Sequence, residues 1–123
     1  MSIITGISLG IIGLVAAGVV VGYAIIVTFR WLLRKIKEKL AARNAKKVAV
    51  ADLEKLIDNC DNRVSLSDLE NITDQGYTHL VATVDKSNRV NDVEVIKDTS
   101  NNIDTEVEHF INRTRSGMVI VED

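Results

Sequence analysis

Residues 3–29 read IITGISLGIIGLVAAGVVVGYAIIVTF, a stretch without a single Asp, Glu, Lys, Arg or His. As a helix it would extend for about 40 Å, more than the roughly 30 Å hydrocarbon core of a bilayer. Between Ile7 and Phe29 thirteen residues are Ile, Leu, Val or Phe, each contributing about −0.3 to −0.6 kcal/mol at the centre of a span. The composition therefore predicts a single transmembrane helix over 3–29. A cleaved leader fits poorly, because it needs a basic start and a shorter apolar core.

The charge pattern beyond Phe29 supports an anchor. Residues 30–47 carry eight basic side chains against one acidic. Val48 to Asp123 carries seven basic against sixteen acidic residues, a formal charge of −9. The overall net charge of −2 conceals this succession of apolar, basic and acidic zones. Basic residues immediately after a span keep that end in the cytoplasm. The expected topology is thus a single-pass cell-membrane protein with its N-terminus outside and its C-terminal domain cytoplasmic. Arg30, Trp31, Arg34, Lys35, Lys37 and Lys39 are the candidate contacts to lipid headgroups, since basic residues beside anionic lipid are each worth about 1 kcal/mol. A nucleic-acid partner is not expected, because the acidic remainder would repel phosphates.

Small residues recur at a spacing of four along the apolar stretch: Gly6 and Gly10, Gly13 and Ala17, Gly18 and Gly22. In a membrane helix such pairs let two backbones approach closely. This face predicts a homo-oligomer or docking onto a partner within a membrane complex.

From Arg30 to Asn59 the chain is rich in Ala, Leu, Lys, Glu and Arg and has neither Gly nor Pro, which predicts a helical stalk continuing out of the membrane. Ile36, Leu40, Val50, Leu53 and Ile57 share a face, but Arg43 and Lys47 interrupt it, so a long coiled coil is excluded. The expected organisation is an anchor at 1–29, a basic juxtamembrane collar and stalk at 30–59, and a small acidic α+β domain at 60–123.

Within that domain, Ser67-Asp68-Leu69-Glu70 reads as a capping box opening a short helix that Gly76 closes. Tyr77 to Val84 and Val90 to Ile96 read as a hairpin in which Leu80, Ala82, Val84, Val93 and Val95 face the core and Asp92 and Glu94 face water. Ile103, Val107, Phe110 and Ile111 mark an amphipathic helix, and Met118 to Val121 a last, buried strand. A three-stranded sheet of order 2-1-3 follows, its second and third strands parallel through a helical crossover. An exposed sheet edge would suit a partner's strand.

The chemistry-bearing residues do not assemble into a recognisable motif. Asp58 to Ile72, DNCDNRVSLSDLENI, resembles the second half of a calcium-binding loop, but the register puts Ile57, Asn62 and Asp68 where Asp, Gly and Glu are required. His79 and His109 have no second His or Cys at ligand spacing. Cys60 lies among acids, which disfavour the thiolate. No glycine-rich phosphate loop or nucleophile elbow is present. No cofactor, metal or catalytic residue is expected.

The favoured reading is a non-enzymatic membrane-anchored adaptor, scaffold or accessory subunit that binds membrane lipid, a second copy or membrane-complex partner, and a cytoplasmic protein. The alternative is a small holin-like membrane-permeabilising protein restrained by its soluble domain, although the span has no polar face to line a pore.

Overall fold

The computed structural model describes residues 2–4, 20–42, 47–58, 66–85, 90–102, 104–113 and 117–122. These form a mixed α+β fold built on one sheet. In chain order the elements are β1 (Ser2–Ile4), β2 (Val20–Ile25), α1 (Phe29–Leu40), β3 (Lys47–Asp52), α2 (Leu53–Asp58), α3 (Leu66–Asp74), β4 (His79–Val84), β5 (Val90–Asp98), α4 (Thr105–Ile111) and β6 (Met118–Glu122). The six strands lie in the order β1-β6-β3-β4-β5-β2. All neighbours are antiparallel except β5 and β2, which are parallel.

The sheet departs from the three-stranded 2-1-3 arrangement because Lys47–Asp52 is a strand rather than part of a helical stalk. It inserts between β4 and β6, pairing with both. Val48 and Val50 face one side of the sheet and Ala49 and Ala51 the other, all four buried. A strand covered on both faces shows no alternation of apolar and polar residues, so KVAVAD offers the periodicity of a helix as readily as that of a strand. The insertion also reverses an expected direction. Three antiparallel steps separate β5 from β6, so these two strands run oppositely.

The second correction concerns residues 3–4 and 20–29 of the predicted transmembrane helix over 3–29, residues 5–19 lying outside the described residues. Val20–Ile25 is a strand hydrogen-bonded along β5 from Val20↔Val93 to Ile25↔Asp98, and Ser2–Ile4 pairs with β6. No described helix is long and apolar enough to cross a membrane. Aliphatic β-branched residues such as Val20, Val21 and Ile25 suit a strand as well as a lipid-facing helix, and apolarity alone does not separate the two. The sheet therefore runs across the boundaries expected at 29/30 and 59/60.

Other elements match expectation. β4 and β5 pair as a hairpin with Leu80 opposite Val95 and Ala82 opposite Val93. Val107, Phe110 and Ile111 are the buried residues of α4; Ile103 lies outside the described residues. Gly76 follows α3 with φ +93 and donates its N–H to Thr73 O, a left-handed closure that disfavours side chains. The helix itself begins at Leu66, so Ser67 is inside it instead of ahead of it.

Two apolar layers sandwich the sheet. On one side α1 and α4 bring Leu32, Ile36, Val107, Phe110 and Ile111 against Val48, Val50, Val81, Ile96, Val119 and Val121. On the other, Leu53, Leu56, Ile57, Ile72 and Tyr77 cover Ala49, Ala51, Leu80, Ala82, Val93, Val95 and Ile120. Each fully buried aliphatic side chain is worth about 1.5–3 kcal/mol.

Strand β2 is tied to the second layer at Gly22. Tyr77 lies so close above it that a Cβ there would overlap the phenol hydroxyl and stand 2.6 Å from Cζ; an aromatic ring covering an edge glycine replaces the missing side chain. Gly22→Ala is accordingly expected to displace Tyr77 and lower the unfolding free energy by about 1–3 kcal/mol. Urea denaturation of the two proteins side by side checks this, and an unchanged midpoint would place Tyr77 elsewhere.

Candidate functional site

Helix α1 begins where three side chains fix the chain leaving β2. Thr28 is its N-cap, with Oγ1 accepting from Trp31 N at 3.1 Å. Asp104 Oδ2 accepts from Phe29 N at 3.0 Å while Oδ1 caps its own helix by accepting from Glu106 N at 2.9 Å. Asp98 Oδ1 accepts from Val27 N at 3.2 Å and from both the N–H and the hydroxyl of Ser100. Burial alone would raise the Asp98 pKa, but the donors at Ser100 and Val27 outweigh it and hold the carboxyl below its ordinary value.

The basic residues of the collar then divide between two faces of the helix. Lys35 and Lys39, four apart and on one face, turn toward the sheet. Lys35 Nζ is 2.9 Å from Glu94 Oε1, and Lys39 Nζ is 2.5 Å from Glu94 Oε2 and 2.7 Å from Asp92 Oδ2. The Glu94 side chain is only 8 % exposed. Glu94 thus faces α1 rather than water, while Asp92 pairs with Lys39 and stays partly exposed. Desolvation pushes the Glu94 pKa upward, and the two ammonium groups more than reverse this, leaving it below the usual carboxylate range. For Lys39 burial acts downward, but its hydrogen bonds to Asp92 and Glu94 dominate and raise its pKa.

Tyr23 of β2 completes the cluster. Its hydroxyl is buried without a hydrogen-bond partner among the described residues, and burial followed by the Glu94 charge raises its pKa strongly. Lys35 Nζ stands 5.8 Å from the centre of its ring, and Trp31 meets it edge-on at 6.3 Å. Trp31 is therefore half-buried against the protein's own ring.

Arg30, Arg34 and Lys37, at steps of four and three, occupy the opposite face and are exposed. With Phe29, Leu33, Asp104 and Glu106 they line an open groove of about 790 Å³. Val21 and Ile26, 48 % and 61 % exposed, are the exposed large apolar side chains among the described residues, and Ile26 immediately precedes the turn into α1. Apolar and basic groups thus meet the solvent along one continuous run of chain, Val21 to Lys37.

Compared with protein-family models, curated proteins and solved structures, the chain matches none.

Of the residues expected to contact headgroups, then, three are displayed, two are ion-paired internally and Trp31 packs on Tyr23. Gly6, Gly10, Gly13, Ala17 and Gly18 of the expected helix-packing face lie outside the described residues, and Gly22 is covered by Tyr77. Sequence reasoning passed over Thr28 and Asp104, and it placed Glu94 in water. Thr28 directly ahead of the Phe29, Leu32, Leu33, Ile36, Leu40 stripe is a legible helix start; the partners of Glu94 and Asp104 come from distant segments that no local pattern announces.

Removing one partner of a buried ion pair costs about 3 kcal/mol or more, so Glu94→Gln is expected to lower stability by about 3 kcal/mol. Because the folded pKa of Glu94 is depressed, the stability it confers is complete above its unfolded value of about 4.3 and disappears as pH falls through the folded value. Urea titrations of both proteins from pH 7 to pH 2 should show a constant gap that closes below about pH 4. A gap that persists unchanged at pH 2 would exclude this role for Glu94.

Proposed function

We propose that the protein is a non-enzymatic adaptor or accessory subunit working at the cytoplasmic face of an anionic membrane. The observation that carries the reading is the outward stripe of Arg30, Arg34 and Lys37 on a helix whose other face is already occupied, with the exposed Ile26 shortly ahead of it in the chain. Exposed Lys and Arg on the outer face of such a helix suit contact with anionic headgroups. The inward pairing of Lys35 and Lys39 makes this face selective, because only the residues not used internally are offered to lipid phosphate. The acidic remainder of the chain disfavours its lying flat on the same surface and leaves it toward the cytoplasm for a protein partner.

Co-sedimentation with vesicles tests the lipid arm. Purified protein should bind vesicles containing phosphatidylglycerol more tightly than pure phosphatidylcholine vesicles, with the difference shrinking as salt rises. At about 1 kcal/mol for each basic residue, replacing Arg30, Arg34 and Lys37 together by Ser should weaken anionic binding about 100-fold. Equal binding by the triple variant would refute the assignment of this face. Crosslinking in native membranes tests the adaptor arm, for which a strictly monomeric protein without a copurifying partner is the contrary result.

A further inference from the structure

Strands β2, β3 and β5 run in one direction, and beyond their carboxyl ends lies a partly open cavity of about 400 Å³. Its volume lies in the range of small-molecule sites. Its wall includes Asp52 at the end of β3, Glu54 and Asp58 on α2, Asp98 at the end of β5, and His79 and Tyr77 leading into β4. Four carboxylates therefore face one small volume, with no Lys or Arg among the lining residues described.

The hydrogen bonds of this wall are unevenly used. Asp98 accepts from Val27 and Ser100 through Oδ1, and Asp52 accepts from Lys55 N through Oδ1 at 3.2 Å. Neither Oδ2 takes a hydrogen bond from a described residue. His79 is only 7 % exposed. Its Nδ1 lies 2.7 Å from Thr78 Oγ1, which is itself fixed by Asp98 N and Ile96 O. The other nitrogen, Nε2, has no hydrogen-bond partner among the described residues, although the ring belongs to the cavity wall. Burial holds His79 neutral, against the pull of Asp52 and Asp98. A buried imidazole anchored at one nitrogen and unpaired at the other points to a ligand that the acidic wall alone would not specify.

We propose that this cavity binds an organic cation, an alkylammonium or guanidinium group, with Asp52, Asp98 and His79 as its polar contacts. The acidic wall excludes an anion. Among the described residues no three His, Cys, Asp or Glu side chains come together as a metal site would require. The fold already places one ammonium beside this wall, Lys97 Nζ at 5.7 Å from the centre of the Tyr77 ring. The site lies apart from the basic face of α1, and its failure would leave the membrane proposal untouched.

Titration of the isotope-labelled full chain by NMR tests this, with the His79 ring signals as the readout. Butylammonium chloride should shift them saturably, whereas butanol and sodium butyrate at matched ionic strength should not. Asp52→Asn, which keeps the acceptor for Lys55 N, should weaken binding about fivefold or more, as expected for losing one nearby charge. Asp58→Asn, at an exposed position, provides a second variant that should also bind more weakly. A Gly-Lys-Gly peptide distinguishes the sources of the cation: tighter binding than butylammonium assigns it to a protein side chain, weaker binding to a free amine. The proposal is overturned if neither cation shifts His79 beyond the effect of butanol, or if both variants bind as the unaltered protein does.

Discussion

Glu94 is the constraint around which the described structure is arranged. Its place in β5, between Val93 and Val95, puts a carboxylate beneath α1 where water is largely excluded. Desolvating such a charge costs several kcal/mol unless opposite charges and hydrogen bonds replace the lost water. Lys35 and Lys39 supply both, and their spacing of one helical turn allows both to reach the same carboxylate. This fixes how α1 is rotated and where it sits along the sheet. Leu32 and Ile36 are buried on the same side, and Arg30, Arg34 and Lys37 must then face outward. The display of the basic stripe is thus set by a buried interaction several ångströms beneath it.

Helix α4 was legible in the sequence because its three- and four-residue steps record the one side that meets the core. The hairpin β4–β5 was legible from two β-branched runs flanking a polar loop, although both faces of β4 are buried. The sequence was least informative for β3 and β2. Val48 to Ala51, buried on both faces, has no polar alternation to mark it as a strand, and Val20 to Ile25 belongs to an apolar run that suits a lipid-facing helix and an edge strand equally. Both misreadings have one cause: hydrophobicity reports an apolar preference, not the secondary structure that meets it.

The candidate site was legible only in outline. The excess of Lys and Arg after Phe29 was plain, but its partition between internal ion pairs and solvent depends on Asp92 and Glu94, more than fifty residues away along the chain. Likewise His79 and Asp98 carry no local signature. They matter because antiparallel pairing brings the start of β4 beside the end of β5, a relation that exists only once the register is known.

The capping of α1 by Asp104 has a consequence for how the chain is made. Phe29 is separated from this acceptor by 75 positions, and Val27 from Asp98 by 71. At translation speeds of about 5–20 residues per second, roughly 4–15 s elapse between the appearance of the helix start and that of the side chain that completes it. During this interval β2 also lacks β5. The nascent polypeptide therefore presents β2 before the strand that pairs with it, so a ribosome working beside a bilayer gives lipid the earlier opportunity to receive it.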